Sequence, residues 1–304
     1  MRTITKRMLR TDQVETFAGQ VAFITGGASG IGLAIGRALS ARGASVVLAD
    51  IDGGRLTQAA SELVGEVYTI TLDVRDRAAW AAARNQVEGR FGSVSLLFNN
   101  AGIINDAGGQ ISTRGLVDQT PESFDRMIGV NLTGVFNGIA TFAAGMRDRS
   151  QGHIVNTAST QGVVACQGVG SYCAAKFGVV AMSESLRDEL APRGVGVSVL
   201  CPGPIQTRIS ASSSLITGDA PVETPPDIFL SADTVAEMVL TAIQSNAPYI
   251  FTHGEYLTAV MDRHRAIEAA LRATPISPMF DPEAPLGGTR EWAQAMLTRE
   301  IQPS

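Results

Sequence analysis

The sequence predicts an α/β domain built on a parallel sheet, and three observations predict it. After residue 19, short β-branched apolar runs alternate with longer stretches of helical periodicity, the pattern of repeated β-α-β units. There are seven such runs, which predicts seven strands. No internal repeat and no long linker divides residues 19 to 270, so one domain is the expected count.

The expected strands are Val21–Thr25, Ser45–Ala49, Val67–Leu72, Ser95–Phe98, His153–Thr157, Val195–Leu200 and Tyr249–Phe251. Helical periodicity fills Gly30–Arg42, Ala78–Phe91, Pro121–Arg149, Ser171–Arg193 and Ala232–Ser245. The rhythm breaks from Ser210 to Asp227, where serines cluster with Pro221, Pro225 and Pro226. A loop of that length in a compact domain reads as a lid, and we assign it residues 208–227. Residues 1–15 read as a variable N-terminal tail, 16–271 as the catalytic domain and 272–304 as a C-terminal extension.

Net charge is -5, and the only concentration of basic residues is the short run Arg2, Lys6, Arg7 and Arg10. That argues against a nucleic-acid partner. No uninterrupted apolar run approaches the roughly 18 residues that span a bilayer, so no membrane association is expected. The N-terminus has positive charges but lacks the apolar segment and cleavage site of a secretory signal. Cys166, Cys173 and Cys201 are odd in number and lack Cys-x-x-Cys spacing. They read as reduced thiols of a cytoplasmic protein, with neither a disulfide framework nor a metal site.

Directly after the first strand comes Thr25-Gly26-Gly27-Ala28-Ser29-Gly30-Ile31-Gly32, leading into a helix. Glycines at 26, 30 and 32 allow a tight turn and let a pyrophosphate reach the helix N-terminus, where free N–H groups favour anions. The spacing is neither the commonest dinucleotide fingerprint nor a Walker A loop. Close packing alone is the competing explanation. The second strand ends in Ala49-Asp50, some twenty residues on, where an acid accepts hydrogen bonds from an adenosine ribose. Asp50 repels a 2'-phosphate and neither Ser29 nor Ile51 supplies a cation, so NAD is expected in preference to NADP. Arg55 is the nearest cation and would weaken that preference if it folded back; Asp52 reads as solvated.

Tyr172 and Lys176 stand four residues apart in a helical pattern, so phenol and ammonium share one face. A phenol titrates near 10, and a cation within roughly 4–6 Å brings proton transfer closer to neutral pH. Ser159 follows the fifth strand, thirteen residues before Tyr172; Asn99-Asn100-Ala101-Gly102 follows the fourth; Asn131 lies within the long fourth helix. Each has an ordinary explanation as a turn former or helix-bending residue. Their order along one chain gathers them beyond the carboxyl ends of the strands, where α/β sheets bind ligands.

These pieces, with Asp73-Val74 and Pro202-Gly203-Pro204-Ile205-Gln206-Thr207, closely resemble the classical short-chain dehydrogenase/reductase family over roughly residues 19–255. The resemblance implies a single Rossmann-like, doubly wound domain of about seven parallel strands with helices on both faces. It implies a catalytic tetrad of Asn131, Ser159, Tyr172 and Lys176. Cofactor contacts are implied at Gly26, Ser29, Gly30, Ile31, Gly32, Asp50, Ile51, Asp73, Val74, Asn100, Ala101, Gly102, Tyr172, Lys176, Pro202, Gly203, Ile205 and Thr207. In the implied roles Tyr172 is general acid and base and Ser159 binds the substrate oxygen. Lys176 holds the nicotinamide ribose and lowers the tyrosine pKa, and Asn131 holds a water that links Lys176 to solvent. The family also implies a homotetramer or homodimer.

The expected substrate pocket lies among the loop from Gly102 to Gly115, the segment Gln161–Gly170 and the lid. Its lining of Ile103, Ile104, Val163, Val164, Cys166, Val169, Ile209 and Leu215 is apolar, with no cationic clamp. A bulky or aryl secondary alcohol and its ketone are therefore expected, with a steroid or other alicyclic alcohol as the rival. His253 and His264 read as surface or packing residues. A non-catalytic NAD-binding sensor, and a dehydratase or epimerase on the same fold, are the competing functional classes.

Overall fold

The computed structural model describes residues 16–104, 115–207, 209 and 230–275. The loop residues Asn105, Asp106, Gly108, Gly109 and Gln110, most of the expected lid including Leu215, and both termini lie outside the described residues. The chain divides into two compact units between Tyr256 and Leu257.

The first unit is built around seven parallel strands in the order β3-β2-β1-β4-β5-β6-β9. They are β1 (Val21–Thr25), β2 (Ser45–Asp50), β3 (Val67–Thr71), β4 (Leu96–Asn99), β5 (His153–Thr157), β6 (Gly196–Cys201) and β9 (Tyr249–Phe251). Every residue of β1, β5 and β6 is buried, which explains their reading as unbroken apolar runs. Two further strands, β7 (Ile205–Gln206) and β8 (Leu230–Ser231), pair separately. At two residues each they were too short to be expected.

Helices cover both faces. Along β1 the side chains alternate: Val21 and Phe23 enter one apolar core, Ala22 and Ile24 the other. The first core packs α3 (Arg77–Phe91) and α5 (Gly134–Arg149), with Phe23 in tilted contact with Trp80 at 5.5 Å and with Phe142 at 5.1 Å between centroids. Full burial of Phe23 contributes about 1.5–3 kcal/mol. The second core packs α1 (Gly30–Ser40) and α7 (Ala232–Gln244). A short α2 (Gly53–Ala60) was not expected. It opens on two glycines, and Asp52, read as solvated, caps it by accepting from the Arg55 N–H at 3.1 Å.

The helix expected from Pro121 to Arg149 is not uniform. It runs as α4 (Pro121–Ile128), a π-helical turn over Gly129–Thr133, and α5. Asn131 sits in that turn, and such turns often mark functional positions. By length and composition the whole stretch could cross a membrane, a property that reading uninterrupted apolar runs does not detect. Just over half of its most apolar window, 56%, is buried within the fold. In the second unit the described element is α8 (Leu257–Arg272), with ion pairs Asp262–Arg265 and Glu268–Arg272.

Strand order reverses between β1 and β4, because the chain winds outward to β3 on one side and to β9 on the other. Connections leave the carboxyl ends in opposite directions there, and a crevice opens between them.

Candidate active site

That crevice is an open cleft. Gly26, Ser29, Gly30, Ile31, Asp50, Ile51, Asp73, Val74, Asn100, Ala101, Gly102, Tyr172, Lys176, Pro202 and Thr207 all line it. Of the other expected site residues, Gly32, Gly203, Ile205, Asn131 and Ser159 are not among the residues that line it. Leu72, Val130, Thr157 and Ala158 also line it and were not singled out in the sequence. Leu72, Thr157 and Ala158 come at or just after strand ends, a signal that could have found them.

The glycine turn has the conformation its sequence calls for. Gly26 and Gly30 have φ of +66° and +55°, values that favour glycine. A Cβ at Gly32 would stand 2.3 Å from the Gly26 carbonyl oxygen, so α1 abuts the turn as closely as main chain allows. Thr25, at the end of β1, organises the opposite wall. Its Oγ1 donates to the Phe98 carbonyl and accepts from the N–H groups of Asn100 (2.9 Å) and Ala101 (3.0 Å). The Asn100 amide donates to the Thr25 carbonyl at 3.2 Å and accepts from Thr157 Oγ1 at 3.3 Å, tying β1, β4 and β5 together.

Asp50 is partly buried, with one carboxylate oxygen accepting from the Ala28 N–H and the other from the Asp52 N–H, both at 3.1 Å. Burial raises its pKa, against the pull of those backbone donors. Arg55 does not fold back toward it; it pairs with Asp52 at 3.4 Å. Asp73 is gripped by Arg75, at 2.6 Å at the closest, which holds its carboxyl below the ordinary range. The Val74 carbonyl accepts from Trp80 Nε1 and Asn137 Nδ2, both at 2.9 Å, and these fix the segment after β3.

At the other end of the cleft, α6 (Gly170–Leu190) carries Tyr172 and Lys176, both buried. The Lys176 ammonium donates to the Thr157 carbonyl at 2.9 Å and lies 5.6 Å from the centroid of the Tyr172 ring. Ser159 is the neighbour that draws the pKa of the Tyr172 phenol down, against the push of burial. Ser159 itself donates to Gln161 Oε1 at 2.6 Å and accepts from the Gln161 N–H at 3.2 Å. Its proton thus rests on Gln161.

The electrostatics run against the expectation drawn from spacing alone. Burial pushes the Tyr172 phenol up to about 12, only partly opposed by Ser159. Burial likewise draws Lys176 down to about 8. Lys176 was expected to lower the tyrosine. Its ammonium faces the ring and the Thr157 carbonyl, and desolvation is the largest influence on the phenol.

Asn131 is completely buried, yet its side chain is committed elsewhere. Its Oδ1 accepts from the Ile103 N–H at 3.1 Å, and its Nδ2 donates to the Ile103 carbonyl at 2.9 Å and the Met127 carbonyl at 3.1 Å. It anchors the segment after β4 beside Lys176; a Cβ on Gly102 would meet Asn131 Oδ1 at 2.8 Å and Lys176 Nζ at 3.5 Å. Gly203 abuts His253, whose ring pairs with Thr252 at 2.6 Å, so His253 is a packing residue. Of the expected apolar pocket, Ile103 and Ile209 line the cleft. Ile104, Val163 and Val169 pack against the core that contains Tyr172, and Cys166 is exposed. Among the described residues no cluster of potential metal ligands exists.

The family model described as short chain dehydrogenase matches residues 20–215. The chain is a short-chain dehydrogenase/reductase. This oxidoreductase is 32% identical over 302 residues to the C alpha-dehydrogenase of Sphingobium sp. strain NBRC 103272 / SYK-6, spanning 93% of this chain and 94% of that protein. It is 38% identical over 195 residues to the 3-alpha-(or 20-beta)-hydroxysteroid dehydrogenase of Mycobacterium bovis, covering 63% of this chain and 71% of the relative. Among solved structures, a short chain dehydrogenase/reductase from Burkholderia phymatum in complex with NAD superposes with a TM-score of 0.74 at 33% identity. That match covers 86% of this chain and 98% of the other. The fold, the glycine turn and the cleft suit a nicotinamide cofactor, the group on which this family's oxidoreductases rely.

Proposed function

We propose that this reductase is an NAD(H)-dependent enzyme that interconverts a bulky or aryl secondary alcohol and its ketone, with Tyr172 as general acid and base. One observation carries the reading: the Tyr172 phenol, whose pKa Ser159 lowers and whose ring Lys176 flanks, lines the same cleft as the glycine turn and Asp50. Gly26, Ser29, Gly30, Ile31 and Gly32 would hold the pyrophosphate, Asp50 and Ile51 the adenosine ribose, and Asp73 and Val74 the adenine. Asn100, Ala101, Gly102 and Lys176 would flank the nicotinamide ribose, with Pro202, Gly203, Ile205 and Thr207 at the carboxamide. When bound, NAD(H) supplies the hydride acceptor or donor.

The residues of the chain handle the proton. In oxidation the Tyr172 oxygen takes the proton of the alcohol; in reduction it returns one to the ketone oxygen. Ser159 turns its hydroxyl from Gln161 to the substrate oxygen and stabilises charge there. A phenol that starts near 12 must come down for oxidation near neutral pH, and a cation brought within about 4–6 Å of its oxygen acts in that direction. Since the Asn131 side chain is occupied by Ile103 and Met127, its main-chain carbonyl is the group on which a water leading to Lys176 would sit.

Asp50 supports NAD over NADP, because a 2'-phosphate would meet a carboxylate while Arg55 and Arg75 are each held by an acid. The near full-length similarity to a C alpha-dehydrogenase and the apolar Ile103 and Ile209 support the aryl alcohol. The similarity to a hydroxysteroid dehydrogenase favours the second reading, a steroid or other alicyclic alcohol. The test is a screen of aryl, alicyclic and steroid secondary alcohols with NAD and with NADP. NADH formation with an aryl alcohol is the expected result. Failure of every alcohol to reduce either cofactor would overturn the proposal, and substrate loss without a change in nicotinamide absorbance would point to a dehydratase or epimerase. The same reading takes the assembly to be a homotetramer, which light scattering in solution tests.

A further inference from the structure

Two of the three cysteines meet beside the tyrosine. Cys173 follows Tyr172 in the first turn of α6 and is buried, while Cys166 is exposed on the segment leading into that helix. The Cys173 sulfur lies against the main chain of Cys166: it accepts from the Cys166 N–H at 3.4 Å and stands 4.0 Å from the Cys166 carbonyl oxygen. The Cys166 sulfur points the other way, 4.0 Å from Gln161 Nε2 and 4.0 Å from the Val164 carbonyl. One sulfur already touches the other residue's backbone, so rotation about the Cα–Cβ bond of Cys166 swings its sulfur from Gln161 toward Cys173. Gly168, at φ +84°, and Gly170 lie between the two and ease any adjustment of the connecting segment. Cys201 is fully buried in β6 and takes no part.

We propose that Cys166 and Cys173 form an oxidisable pair, a modification site for hydroperoxides that closes to a disulfide next to Tyr172. The exposed Cys166 thiolate attacks the O–O bond of hydrogen peroxide; the bond breaks, one oxygen stays on sulfur as sulfenic acid and the other leaves as hydroxide, which takes up the proton the thiol had shed and becomes water. The Cys173 sulfur then attacks the Cys166 sulfur, the S–S bond forms, the S–O bond breaks, and the hydroxyl leaves with the Cys173 proton as a second water. Two thiols are oxidised and one peroxide is reduced. Burial raises the pKa of Cys173, which suits it to second place in this sequence, where attack follows Cys166 oxidation. The bridge would withdraw Cys166 from Gln161, the residue that holds the Ser159 proton, and tie the substrate-side segment to the helix of Tyr172.

Trypsin releases residues 150–176 as one peptide containing Cys166 and Cys173 but not Cys201. After treatment of the full-length protein with hydrogen peroxide, this peptide should be lighter by two hydrogens, resist alkylation, and recover both thiols with dithiothreitol. In Cys173→Ser the Cys166 sulfenic acid should persist and be captured by dimedone, which the wild type should not show. In Cys166→Ser, Cys173 should stay reduced at the same dose. Sulfinic acid on Cys166 in the wild type without loss of two hydrogens would overturn the proposal. Equal dimedone capture in wild type and Cys173→Ser would do the same. These readouts are masses, so they stand or fall independently of the alcohol screen.

Discussion

At the glycine turn the surface offered to a ligand is main chain, whereas at α6 it is side chain. The first end is shaped by what is missing: no Cβ at Gly26, Gly30 or Gly32, with Thr25 holding two N–H groups of the facing loop. The second is shaped by what has been forced in: a buried phenol, with a buried ammonium and a buried carboxamide tied by hydrogen bonds within the chain. Main chain costs little to hold in place once its turn is made. Buried ionisable groups cost stability, and what they provide is a perturbed proton affinity. The two ends should therefore fail differently when altered.

The largest effect expected is at the side-chain end. Tyr172→Phe should lower turnover by about 10³-fold or more, because proton transfer loses its only positioned group. NADH affinity, followed by fluorescence titration, should change by no more than about 3-fold if the phenol serves only the proton. Retained turnover would remove Tyr172 from the mechanism. The main-chain end should show the converse. Gly32→Ala puts a Cβ 2.3 Å from the Gly26 carbonyl oxygen, where only backbone could move aside. It should lose about 2–3 kcal/mol in urea unfolding and weaken NADH binding. A stable variant with unchanged binding would mean that the turn is looser than its geometry indicates.

The two ends also differed in how far they could be read from the sequence. Glycine positions, strand-end Asp50 and the Tyr172–Lys176 spacing are local patterns. The seven strands were legible because parallel strands buried on both faces leave continuous β-branched runs. The π-turn at Gly129–Thr133 was not, since the apolar periodicity passes through it without a proline or a cap to announce the break. Neither was α2, whose inward face is only Leu56 and Ala59. Within the site, the pairing of Arg55 with Asp52, and the engagement of Asn131 with Ile103, depend on contacts between separate side chains and backbones. The upward shift of Tyr172 was hidden for the same reason. Spacing gives the distance of a cation, but depth of burial decides whether its effect prevails.

Asp50 lies between the two regimes, a side chain at the main-chain end. Its removal tests whether a single carboxylate sets cofactor choice. Asp50→Ala should narrow the ratio of NADP to NAD dissociation constants by about 10-fold, one unfavourable contact with a 2'-phosphate being worth about 1.4 kcal/mol. The change should come mainly from tighter NADP. An unchanged ratio would assign the preference to some other group on the cleft.

The smallest effect expected, about 1 kcal/mol, is a gain in stability from damage to the site. Lys176 is 2% exposed, and its pKa falls from 10.5 to about 8 on folding. Between those values the unfolded chain holds more protons at this residue than the folded one, so its contribution to stability rises with pH. The penalty for burying the charge is therefore present in full below pH 8 and is relieved as pH climbs toward 10.5. Lys176→Met removes the charge, keeps most of the volume and leaves the Thr157 carbonyl without its donor, which offsets part of the gain. The cofactor-free variant should be more stable than the wild type in urea at pH 7, and the advantage should shrink and reverse toward pH 10.5 as the wild-type lysine sheds its proton. Comparison at each pH cancels the other titrating groups to first order. A constant difference across that window would show that Lys176 folds with its ordinary proton affinity, and the contrast between the two ends of the cleft would lose its electrostatic basis.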